Sequence, residues 1–103
     1  MFALTRLRVP DGDAAELATR AAALLAALAA RPGFLGGELG RAADDPGLWA
    51  LLTRWDGVGA YRRALSAAEV KIAGAPVWVW AVAEPGVFVE EGSPGTAASE
   101  GWR

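Results

Sequence analysis

The chain has 103 residues and a formal charge of −2, from 10 basic and 12 acidic side chains, which suits a single domain and leaves no basic patch for nucleic acid. It contains neither cysteine nor histidine. Those two absences exclude a disulfide framework, a thiolate nucleophile and a Cys-ligated metal, and they remove the commonest metal ligand and general base.

Residues 2–9, FALTRLRV, combine β-branched and apolar side chains with no helix breaker before Pro10 and predict an opening strand. Pro10-Asp11-Gly12 turns the chain. Asp13 stands at an N-cap position with Glu16 at capping-box spacing, and alanine-rich sequence runs on to Ala30. Leu17, Ala21, Leu24, Leu25 and Leu28 form one helical stripe, so this face is expected to pack on a sheet. The apolar run at 21–30 is about half the length of a membrane span, and the first residues lack the apolar core of a signal peptide. A cytoplasmic protein with no membrane partner is expected.

Arg31-Pro32-Gly33 ends the helix, FLGGELGRA at 34–42 reads as a second strand, and Asp44-Asp45-Pro46-Gly47 signals a turn. LWALLTRW at 48–55 is the third strand. Alternation puts Trp49, Leu51, Thr53 and Trp55 on one face and Leu48, Ala50, Leu52 and Arg54 on the other. Both faces are mostly apolar, and helices in so small a chain can cover only one, so the second face predicts a homodimer.

Asp56 is placed to cap a helix over 57–65, and Ser66 and Glu69 have the spacing of a capping box opening a short helix that Gly74-Ala75-Pro76 would end. VWVWAVA at 77–83 alternates like a strand yet runs straight into Glu84-Pro85-Gly86, and the pattern leaves it unassigned. VFVEE at 87–91 reads as the last strand. Residues 1–91 then form one domain, and 92–103, rich in Gly, Ser, Pro and Ala with Trp102 near the end, are expected to be a flexible tail. The order β-α-β-β-α-β defines an α+β, ferredoxin-like fold, an antiparallel sheet with its helices on one face.

PGFLGGEL at 32–39, the Asp-Asp-Pro turn, LLTRWDGVGAYRRAL at 51–65 and EPGVFV at 84–89 together resemble the antibiotic biosynthesis monooxygenase family. The resemblance implies a dimeric α+β barrel. It leaves activity open, because the family includes cofactor-free monooxygenases, haem-degrading oxygenases, isomerases of small phosphorylated ketones and members of unknown function. The haem-degrading branch is recognised by an Asn, a Trp and a ligating His. Trp55 matches the Trp, but Thr5 stands in the Asn position and Gly74 or a neighbour where the His belongs. The quinone-forming branch is matched by Trp55 and Tyr61, whereas its Asn is Leu51 here and its Arg on the later segment is Ala75.

What this resemblance implies is oxidation without cofactor or metal, on a hydrophobic aromatic or polyketide-like molecule whose enolate itself reduces O2. The protein then has to hold the enolate, donate hydrogen bonds to it and keep water from the peroxide. Trp55 and Tyr61 are the catalytic candidates. Thr5 and Thr53 are small polar groups for substrate binding, with Leu51 and Phe34 as apolar walls. The rival expectation is a dimeric binding or accessory protein that holds a ligand without turning it over, with Trp55 as core. An isomerase lacks both a His and a phosphate clamp: GFLGG has no phosphate-loop spacing, and no carboxylates stand at metal-ligand spacing.

Overall fold

The computed structural model describes residues 1–84 and 86–91. The chain runs β1 (Phe2–Arg8), α1 (Ala14–Ala29), β2 (Phe34–Ala42), β3 (Asp45–Trp55), α2 (Val58–Ser66), α3 (Ala68–Trp78) and β4 (Val87–Phe88). The sheet has the order β2-β3-β1-β4 with every neighbouring pair antiparallel. This is the expected α+β, ferredoxin-like arrangement, with one helix more after β3.

Register explains which face became the core. Ala3 pairs with Thr53, Thr5 with Leu51 and Leu7 with Trp49, so odd-numbered side chains of β1 and β3 point together towards the helices. Ala3, Leu7, Leu51, Thr53 and Trp55 are buried there, and from α1 the stripe Leu17, Ala21, Leu24 and Leu28 closes over them. Each fully buried leucine contributes roughly 1.5–3 kcal/mol relative to exposure. Helix α1 packs on β2 and α3, and α2 packs on β3 and α3. The opposite sheet face presents Phe2, Leu4, Leu48, Ala50 and Leu52, all only partly buried. None of the helices among the described residues is long and apolar enough to cross a membrane.

Several local expectations need correcting. The turn between β2 and β3 falls at Ala43 and Asp44, and Asp45–Gly47 already belong to β3. There the Asp45 carboxylate takes two 2.9 Å bonds from Arg8 and one from the Gly47 N–H. The three expected caps do not form. Asp13 makes no capping bond and Glu16 accepts from Arg20 instead; the N-cap of α2 is Gly57 rather than Asp56; and Ser66 donates back to the Arg62 carbonyl while Ala67 precedes α3.

Helix α3 also runs through Gly74-Ala75-Pro76 to Trp78. Proline has no N–H for the Ile72 carbonyl, but Ile72 is 75% exposed and Pro76 is exposed too, so the freed carbonyl lies where water can reach it. Arg20 secures the far end of α3: it donates to the Pro76 carbonyl at 2.9 Å and its guanidinium lies 4.8 Å from the centre of the Trp80 ring.

The last strand is shorter than 87–91 and comes in two pieces along the outer edge of β1. Arg8 N–H donates to Trp80 O, Val82 N–H to Arg6 O and Leu4 N–H to Gly86 O. Pairing resumes at Val87 and Phe88, where Phe88 stacks on Phe2 with ring centres 5.2 Å apart. The tail predicted over 92–103, with Trp102, lies outside the described residues.

Gly33 joins α1 to β2 with φ of 89°, and its carbonyl accepts the Asp56 N–H at 2.8 Å. A methyl group added there would lie 2.5 Å from the Ala60 Cβ of α2. Gly12 shares the positive φ, at 92°, but has nothing within 4 Å of such a methyl. Gly12→Ala should therefore lose about 1 kcal/mol from backbone strain alone, and Gly33→Ala about 2–4 kcal/mol because overpacking adds to it. Denaturant unfolding of the two variants measures the difference.

Candidate functional site

A cavity of about 330 Å³ lies between the sheet and the pair α2–α3, lined by Thr5, Tyr61, Leu65, Val70, Lys71 and Trp78. Each element supplies its part by simple periodicity. Thr5 is the inward residue of β1 between Ala3 and Leu7. Tyr61 and Leu65 are four apart on α2, hence one above the other. Val70, Gly74 and Trp78 form the same kind of row on α3. A side chain at Gly74 would collide with the indole, its Cβ lying 2.6 Å from Trp78 Nε1, so glycine lets Trp78 lie back along its helix towards the cavity.

Behind the cavity stands an aromatic cluster centred on the buried Trp55. Trp55, 1% exposed, meets Phe34 edge-on at 5.2 Å and Tyr61 at 5.7 Å with the rings tilted by 58°. Its indole N–H donates to Thr53 Oγ at 2.9 Å. Of the six side chains singled out from the sequence, Thr5 and Tyr61 therefore reach the cavity wall. Trp55, Thr53, Leu51 and Phe34 form the layer supporting them and do not line it.

Tyr61 is the polar centre of the wall. Burial pushes its phenol above the ordinary value, with no hydrogen bond contributing to the shift, so the group is protonated at neutral pH and offers an O–H donor. Lys71 is exposed and makes no ion pair among the described residues. Leu65, Val70 and Trp78 make the rest apolar. A flat hydrophobic molecule carrying an oxygen could lie against them and receive a hydrogen bond from Tyr61. Among the described residues no group of three or more His, Cys, Asp or Glu side chains is placed to hold a metal ion.

Sequence reasoning missed Leu65, Val70, Lys71 and Trp78 as cavity residues. A signal existed for Lys71, the single lysine among 10 basic residues. Trp78, in the stretch whose pattern left it unassigned, could be placed only once α3 was known to continue past Pro76.

The fold and cavity define an α+β, ferredoxin-like protein with an aromatic-walled pocket of small-molecule size. The chain belongs to the antibiotic biosynthesis monooxygenase family, whose sequence profile matches residues 1–75. Among solved structures it is similar to SnoaB, a cofactor-independent oxygenase from Streptomyces nogalater, at 24% identity and a TM-score of 0.78 over 91% of this chain and 95% of that one. It is also similar to a candidate antibiotic biosynthesis monooxygenase from Caulobacter crescentus CB15, at 23% identity and a TM-score of 0.72 over 87% and 89%. A third, from Nitrosomonas europaea, shares 18% identity and a TM-score of 0.69 over 91% and 99%. No curated protein matches the sequence significantly. At these identities the structural likeness carries the fold.

Proposed function

We propose that the protein is a cofactor-independent monooxygenase of hydrophobic aromatic or polyketide-like molecules, working as a cytoplasmic homodimer. The observation that carries this reading is Tyr61 on the wall of an otherwise largely apolar cavity, its phenol protonated and without a protein partner among the described residues. Family membership supports it, as does the description of SnoaB as a cofactor-independent oxygenase.

The substrate is a ring ketone or phenol whose enolate gives electrons to O2. One electron passes to O2, the two radicals join at carbon to form a peroxide, and loss of water leaves a carbonyl where a CH2 stood. One oxygen atom enters the product and the other leaves as water, so no external reductant is consumed. Tyr61 and Thr5 hold the enolate oxygen by donation, while Leu65, Val70 and Trp78 hold the ring. Trp55, itself met edge-on by Phe34 and bonded to Thr53, backs the Tyr61 ring.

Oxygen uptake with anthrone tests the reading. Consumption of O2 well above the uncatalysed rate, with anthraquinone as product, is the expected result; background uptake overturns it. The second reading, a binding protein without turnover, is favoured by one observation: the Trp55 N–H is engaged by Thr53, leaving fewer donors for an enolate. It predicts ligand-induced fluorescence change without oxygen consumption.

The homodimer is proposed on the outer sheet face, where Leu4, Leu48, Ala50 and Leu52 form an apolar patch that the helices do not cover. Sedimentation should give about twice 10.7 kDa at micromolar concentrations, where stable interfaces of standard size persist. Leu52→Glu, a charge placed in the middle of that patch, should give the monomer mass.

A further inference from the structure

Lys71 is placed oddly for a residue with only a structural role. It sits in the first turn of α3, at the positive end of the helix dipole, where a cation is disfavoured. It forms no ion pair among the described residues, yet it lines the cavity beside Tyr61 and Thr5. It thus gives the rim of a largely apolar pocket a positive charge that no observed acid neutralises.

We infer that Lys71 is a specificity-determining residue, which selects aromatic ligands carrying an anionic oxygen, a ring carboxylate or an ionised phenol, over neutral ones of the same shape. This rests on the cavity of the proposed function but not on turnover. The aromatic body is held by Leu65, Val70 and Trp78, and the anionic oxygen faces the ammonium of Lys71. A charge-assisted bond at a partly exposed rim gives about fivefold to tenfold preference. Because the rim is open to solvent, added salt weakens that preference.

The experiment is equilibrium binding of two probes, anthraquinone-2-carboxylate and neutral 2-methylanthraquinone, followed by tryptophan fluorescence. The native protein should bind the carboxylate about fivefold to tenfold more tightly. Lys71→Met should bind the two equally, and Lys71→Arg should restore the preference. Circular dichroism should show all three folded alike, since the Lys71 side chain is exposed and makes no ion pair among the described residues. Equal binding of both probes by the native protein, a preference that survives in Lys71→Met, or no binding of either overturns the inference. Charge-selective binding without oxygen uptake on anthrone would instead overturn the monooxygenase reading and leave this one standing.

Discussion

Replacing Trp55 by alanine should remove about 3–5 kcal/mol of stability, a large part of the roughly 5–15 kcal/mol available to a domain of this size. The indole is 1% exposed, touches the rings of Phe34 and Tyr61, and donates to Thr53, itself 4% exposed. Truncation opens a cavity that α2 and β2 can fill only by leaving their own contacts. Trp55→Phe keeps most of the ring packing but takes away the N–H, so the buried Thr53 hydroxyl loses a partner at about 1–3 kcal/mol. Urea unfolding should therefore order the proteins native, Trp55→Phe, Trp55→Ala. A Trp55→Phe variant as stable as the native protein would mean that the bond to Thr53 contributes nothing and that the indole N–H is free to serve a ligand.

The contrast between alternation and capping shows what a sequence reading can reach. β1, α1 and β3 were legible because each buries one face, and burial imposes a period of two or 3.6 on the side chains; β2, none of whose residues is buried, was legible from the breakers on either side of it. Asp13, Asp56 and Ser66 looked like caps because their residue types can cap. Whether they do depends on where the neighbouring backbone points, and Ser66 turned instead to the Arg62 carbonyl. Pro76 misled for a related reason. The energy of a proline in a helix depends on whether the freed carbonyl meets water, and only the packing of α3 shows that it lies on the exposed side. The outer edge of β1 was least legible: residues 80–82 and 86–88 are held there by hydrogen bonds from another strand, and their own pattern carries little of that.

For the site, periodicity gave the face and not the depth. Thr5, Leu51, Thr53 and Trp55 all point to the helices, as their alternation requires. Thr5, on β1, lines the cavity formed with α2 and α3, whereas Leu51, Thr53 and Trp55 stand on the neighbouring strand β3, against which α2 packs. Lys71 and Trp78 were invisible as a pair because they come together only when α3 is long enough to carry both, with Gly74 leaving room for the indole.

Tyr61→Phe should lower kcat/KM for anthrone oxidation by about 10²-fold, within the 10²–10³ range for losing one donor to a developing oxyanion. Stability should change by less than about 1 kcal/mol, because the hydroxyl has no protein partner among the described residues to strand. The ring stays against Trp55 in either protein, so a lost rate with a preserved fold isolates the O–H. The pH dependence separates the role further. Burial raises the phenol above its ordinary value, so the donor is present throughout the range below about pH 10 and disappears only as the pH climbs through the raised value. The ratio of native to Tyr61→Phe rates should consequently be flat from about pH 6 to about pH 9, while both rates rise together as the substrate ionises. A ratio that grew steeply within that window would show Tyr61 acting as a base rather than a donor. A ratio of one at every pH would reduce Tyr61 to an aromatic wall packed against Trp55, and the cavity to a place where ligands bind without being oxidised through it.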